Sequence, residues 1–279
     1  MIDALAAETL LLRKRLAPVV IGAAWVAMVL IFAFGVPYIV YRTLDPAKDS
    51  GDRADLLDVL VPSSVDSTSV SSYPLFGGAL MLILGVLITG SEYRWATWGA
   101  RFTQGPSRTQ VLLAKAAAGA LAAVAIAVVA AVAAVVASLV IATAEGAPRG
   151  LPSVPSMAAS LGVAVLISVA CMSLGAALGV ICRGTSVALA AGLLWMLGLE
   201  NAVSGLASMV NVLEPVRTVL LSSAGGSLVA GLGAPTQGAG GTPGVVEHMS
   251  TPTACLVLTV YIAVSLTAAV VITRRRDIG

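Results

Sequence analysis

Charge is what this sequence has least of. Asp, Glu, Lys and Arg make up 11% of its 279 residues, against about 25% in a soluble globular domain, so lipid rather than water is the expected main solvent. Histidine occurs once, as His248 in a Gly/Pro-rich loop, which leaves nothing to build a histidine metal cluster or a catalytic relay. The three cysteines, Cys171, Cys182 and Cys255, are far apart, form no CxxC pair and lie in or at the ends of apolar runs. They read as small buried hydrophobes, not as zinc ligands or a disulfide framework. The only lysines are Lys14, Lys48 and Lys115, and none follows a glycine. A phosphate-cradling loop ends in Gly-Lys-Ser/Thr, so the chain holds no such loop. No catalytic residue, metal ligand, cofactor or nucleic-acid contact is therefore expected of it, and it is not expected to be an enzyme on its own.

Apolar residues make up 58% of the chain and fall in runs between short charged clusters. The runs are long enough to cross a hydrocarbon core of about 30 Å. The expected fold is all-α: a single polytopic membrane domain over residues 1–279, with six transmembrane helices near 17–41, 73–90, 111–142, 157–182, 185–209 and 253–273. Arg13, Lys14 and Arg15 precede the first run, which continues to about Tyr41 and is too long for a signal core. In residues 1–16, Ile2, Leu5, Thr9, Leu12 and Leu16 recur at helical spacing. The segment reads as an amphipathic helix lying at the interface, with a frayed tail as the alternative. Gly35 and Pro37 are expected to bend the first span, and Arg183-Gly184 to close a tight hairpin between the fourth and fifth. Residues 43–72, with six aspartates and a Ser/Thr tract, read as a polar loop.

Basic residues set the orientation. With the N-terminus inside, the inner segments hold 11 of the 16 Lys and Arg and the outer segments 5. That bias places both termini in the cytoplasm of a cell inner (plasma) membrane. Nine acids fall outside, four inside, and Glu200 lies within a span.

The most informative inner segment is 91–108, between the second and third spans. Trp95, Trp98 and Phe102 follow i, i+3, i+7, and Arg94, Thr97, Arg101 and Gln104 follow the same spacing on a neighbouring stripe. A helix parallel to the membrane would set the aromatics in the interfacial belt and turn the arginines to the cytosol. Gly105-Pro106 ends it, and Ser107 with Gln110 reads as a capping box for the third span. Orientation alone also calls for basic residues here, and tryptophan is common at membrane edges.

The string EYRWATWGARFTQGPSRTQVLLAK resembles the segment after the second span in permeases of the ATP-binding-cassette type-2 export class, the membrane subunits of drug- and antibiotic-type exporters. The matching positions are Glu92, the basic-aromatic stretch from Arg94 to Phe102, Pro106-Ser107-Arg108 and Lys115. The overall plan of surface helix, six spans and long outer stretch is similar too, as is Trp195-x4-Glu200 in the fifth span. Ala96-Thr97-Trp98 stands where the family carries a threonine-rich turn. The resemblance implies a cytoplasmic coupling helix in 91–108 that docks on an ATPase subunit through Glu92, Arg94, Trp95, Trp98, Arg101, Phe102, Pro106, Ser107 and Arg108. It implies two copies of that ATPase, which would hold ATP and Mg, and a second permease, identical or related, in the lipid bilayer. The function implied is outward movement of a hydrophobic or amphipathic cargo such as an antibiotic, peptide or lipid. An ion-coupled secondary transporter and a non-transporting scaffold or immunity protein are the alternatives.

Glu200 and Asn201 are the remaining candidates. A carboxylate deep in a span costs roughly 3 kcal/mol unless paired or hydrated. Glu200 thus reads as a substrate-path or helix-pairing group, or as a residue near the outer head groups. Gly175-x-x-x-Gly179 in the fourth span permits a close helix approach. In the outer stretch 210–252, two short apolar pieces, 216–221 and 227–232, flank Gly225-Gly226; the family resemblance implies re-entrant or interfacial helices closing the outer mouth, with a covered loop as the alternative. Residues 234–250 read as a mobile Gly/Pro-rich loop.

Overall fold

The computed structural model describes residues 2–95, 97–98, 107–207, 210, 212, 214–239 and 241–275, and these are helical wherever they are regular, with no strand among them. Arg101, Phe102 and Pro106 lie outside the described residues. A surface helix, Ile2–Lys14, ends at Arg15, whose backbone is extended (φ −85°, ψ 133°). Six helices long and apolar enough to cross a membrane follow: Leu16–Thr43, Pro62–Arg94, Arg108–Glu145, Val154–Ile181, Thr185–Ala207 and Thr251–Arg275. The chain is a multi-pass membrane protein.

The second and fourth spans form the centre. Two-thirds (67%) of the apolar window of each is buried, against 28% or less for the other four. Small residues explain the choice. A Cβ added to Gly175 would collide with the Leu82 carbonyl oxygen, and one added to Gly85 with that of Met172. These two backbones therefore pack directly on each other, and Thr89 Oγ1 donates to the Ala176 carbonyl oxygen across the contact at 2.9 Å. The Gly175 motif meets the second span, a pairing that spacing alone left open.

The third span shows how the outer ring is sorted. Ala123, Ala127, Ala130 and Ala134 are buried, while Val128, Val132, Val136 and Val140 are exposed. The smallest side chains face the neighbouring backbones, and the larger apolar ones face where lipid lies. At 38 residues this helix is about 57 Å long, well beyond the hydrocarbon thickness. Its start carries the expected capping box: Ser107 Oγ accepts from the Gln110 amide at 3.3 Å, and Gln110 Oε1 from the Ser107 amide at 3.1 Å. The fourth and fifth spans turn at Arg183, in the left-handed region at φ 50°. The first span widens into a π-helical stretch over Val29–Gly35, just before Pro37; proline lacks an amide donor, and such stretches take up the break.

Three loop expectations need correction. Residues 43–72 are not an open polar loop: Ser50–Leu60 is a helix, and Thr68 through Tyr73 are buried. The hydroxyls there turn inward because the local backbone accepts them, as in Thr68 Oγ1 to Val59 O at 2.8 Å and Ser71 Oγ to Thr68 O at 2.9 Å. Ser156 and Ser160 of the fourth span bond to Asp66, fixing this segment to the bundle. Gly225-Gly226 does not separate two apolar pieces; it lies inside one fully buried helix, Leu221–Ala230. Gly226 is required by the close passage of the Gly244 carbonyl oxygen. Within the supposedly loose stretch 234–250, Val245 is fully buried and the His248 amide donates to Ser227 Oγ at 3.1 Å.

The central contact yields a paired test. Gly175→Val should abolish the monodisperse folded protein in gel filtration, whereas Gly162→Val on the same helix, where an added Cβ meets nothing within 4 Å, should leave it unchanged.

Candidate functional site

The residues singled out in 91–108 separate into an inner group and an outer group. The second span runs on to Arg94, so Ser91, Glu92 and Tyr93 belong to its last turn. Glu92 is 1% exposed. Its Oε1 accepts from Lys115 Nζ at 2.9 Å and from Arg15 Nη2 at 3.0 Å, and its Oε2 accepts from Thr97 Oγ1. Lys115, also 1% exposed, donates to Glu8 Oε2 at 3.0 Å. Arg15 Nη1 adds a 3.1 Å bond to Ser91 Oγ. Two carboxylates and two cations thus meet in one knot drawn from four places: the surface helix, the break before the first span, the end of the second span and the start of the third.

The tryptophans do not share a stripe. Trp98 is buried among Val111, Leu112, Ala177, Val180 and Ala269, with Tyr93 at 5.6 Å and Lys115 Nζ 5.7 Å from its ring centroid. It closes the knot against the third, fourth and sixth spans. Trp95 is 69% exposed, and the Arg94 guanidinium lies 5.7 Å from its ring centroid. The reason is a break in the helix: Trp95 is in a turn, Thr97 is outside helix, and helical spacing does not carry from one tryptophan to the other. Of the candidates within the described residues, Arg94 and Trp95 face outward, Glu92 and Trp98 face inward, and Ser107 caps the third span. Arg108 Nη1 reaches the Thr273 carbonyl oxygen at 3.4 Å, tying the third span to the sixth.

Sequence reading missed Glu8, Arg15 and Lys115 as members of one cluster. The signal available was a Lys one helical turn beyond Val111, at the edge of an otherwise charge-free run, with no partner nearby in sequence.

At the other end, Glu200 is fully buried. It accepts from Trp195 Nε1 at 2.8 Å, from the Leu221 amide at 3.3 Å and from the Ser222 amide at 2.7 Å. Leu221 and Ser222 open the buried half-helix, so Glu200 satisfies amides that a helix N-terminus leaves without internal partners and complements the positive end of its dipole. Leu194–Leu199 is π-helical, and its wider turn brings residues five apart onto one face, which is how Trp195 meets Glu200. Of the three readings of Glu200, helix pairing is what the geometry contains. Asn201 donates to the Leu197 carbonyl oxygen at 2.9 Å and stays on its own helix. His248 lies half-buried over the half-helix, and burial together with the Arg217 charge lowers its pKa below the ordinary imidazole value. Among the described residues, no group of three His, Cys, Asp or Glu side chains could hold a metal ion.

Removing one partner of a buried ion pair costs about 3–5 kcal/mol. Lys115→Met should therefore lower the unfolding temperature in detergent far more than Arg15→Gln, whose side chain is 34% exposed. Glu200→Gln sets an amide NH2 against backbone N–H donors, and leaving one of these unsatisfied costs about 1–3 kcal/mol. Its expected signature is faster proteolysis within 208–250, with the six spans retained.

No protein-family model matches this chain, and no curated protein matches it either.

Proposed function

We propose that the chain is the membrane subunit of an exporter of the ATP-binding-cassette type, driven by ATP hydrolysis in a separate subunit. The observation that carries the reading is the juxtaposition at the end of the second span, where an exposed Arg94–Trp95 pair sits two and three residues from the buried Glu92. An aromatic and an arginine at the surface are the residue types that anchor protein contacts. Force applied to them passes through Glu92 to Lys115 on the third span, to Glu8 on the surface helix and to Arg15 at the head of the first. A partner pressing at one point would tilt several spans together.

In this reading both termini, the knot and residues 91–108 face the cytoplasm of the inner (plasma) membrane, as the basic bias favours. Two copies of the ATPase, holding ATP and Mg, act on two permeases, identical or related. The cargo is hydrophobic or amphipathic, as suits spans that expose so much apolar surface, and it leaves by the end where Glu200 pins the half-helix. An ion-coupled carrier would need a titratable group free to exchange an ion, and Glu200 is engaged by an indole and two amides.

Two measurements test this. Trp95→Cys should react with an impermeant thiol reagent in inside-out vesicles and not in whole cells; the reverse pattern would reject the reading. Arg94→Glu combined with Trp95→Ala should leave the permease folded but abolish its copurification with a candidate ATPase encoded beside it. Because a hot-spot residue contributes at least about 2 kcal/mol, partner affinity should fall more than tenfold. Unchanged binding and hydrolysis would place the docking surface elsewhere.

A further inference from the structure

The first and third spans are pinned at both ends and touch between the pins at Gly22 and Ile126. At the inner end the knot holds them. At the outer end Glu145, the last residue of the third span, accepts from Tyr38 at 2.8 Å, Tyr41 at 3.1 Å and Arg42 at 3.0 Å, all on the first span. Between them lies an apolar groove of about 870 Å³, bounded by the surface helix, the first span and the third span. Its walls include the small residues Gly22, Ala118 and Ala125, and it extends along the third span to Val129. A second hollow of about 390 Å³ lies along the surface helix, against Leu121 of the third span. Thr9, Arg13 and Leu121 line both hollows. Arg13 is the one charged residue in either lining, and it is in none of the ion pairs among the described residues.

Along the third span the large groove runs from Ala118 to Val129, eleven residues or about 16 Å. That is half of a hydrocarbon core of about 30 Å, the depth of one leaflet. The larger hollow is therefore about one leaflet deep, and Arg13 of the surface helix borders both; the Thr9 hydroxyl beside it donates to the Leu5 carbonyl oxygen at 2.8 Å. Arg is suited to bidentate contact with a phosphate.

We propose that this is a binding site for one anionic diacyl phospholipid of the leaflet on the Arg13 side, with its phosphate at Arg13 and its two chains in the two hollows. The inference does not depend on what the protein transports or on what drives it. The lipid acts as a resident part of the bundle that seats the surface helix.

The full chain is purified from nanodiscs containing equal phosphatidylglycerol and phosphatidylcholine, and the retained lipid is identified by native mass spectrometry. One phospholipid per chain is expected. A basic residue near an anionic head group contributes about 1 kcal/mol, so phosphatidylglycerol should exceed phosphatidylcholine about fivefold. Arg13→Gln, at an exposed position, should erase that preference. Ala125→Phe should erase retention by filling the groove, and Ala23→Phe, from the opposite wall, should do the same if the first variant does not fold. Lipid retained without head-group preference, or retained unchanged in the filled variants, overturns the proposal. So does efficient crosslinking of Ala125→Cys to a second copy, which would make the groove a protein interface.

Discussion

Lys115 carries its charge into a place lined mostly by hydrocarbon, and its end of the bundle is arranged around answering it. Its ammonium meets Glu92 at 2.9 Å and Glu8 at 3.0 Å, with the Trp98 ring beyond. Each carboxylate comes from a different element, and Arg15 balances the second negative charge at 3.0 Å from Glu92. A buried ion pair gives little net stability over a hydrophobic substitute, but it is costly to break. Its consequence is geometric: the surface helix, the first span and the end of the second cannot be displaced separately from the third without stranding a charge.

At the opposite end Glu200 follows the same logic with one charge in place of four. Glu200 lies fifteen residues into the fifth span, about 22 Å from its start, and is held by an indole and two helix amides rather than by a cation. This fixes a ten-residue buried helix that is too short to cross the membrane by itself. Between these polar ends, the bundle relies on glycine and alanine. Gly85 and Gly175 let the central helices touch backbone to backbone, where lipid supplies no hydrophobic drive for association. The protein thus has a tightly packed centre with polar fixtures at both ends.

The spans were legible because their signal is additive over twenty or more residues; each boundary fell near its observed position except the start of the second, where helix begins at Pro62. The capping box at Ser107 was legible because it is local. The knot was not, because Glu8, Arg15, Glu92 and Lys115 come together only once the first, second and third spans are placed. The same holds for Glu200: its Trp195 partner was visible as a spacing, but the amides of Leu221 and Ser222 required the course of the outer stretch. The tryptophan stripe was misread because helical periodicity was assumed across a turn at Trp95. Exposure then divided the residues expected to couple into anchors, Glu92 and Trp98, and an outward pair, Arg94 and Trp95.

If the knot fastens the surface helix to the bundle, amide hydrogen exchange over Ile2–Lys14 reports it without any partner. The wild-type helix should be protected, and Lys115→Met should accelerate its exchange about a hundredfold, as expected for loss of a buried pair of about 3 kcal/mol, while the second and fourth spans stay protected. Equal protection of Ile2–Lys14 in the two proteins would contradict the account.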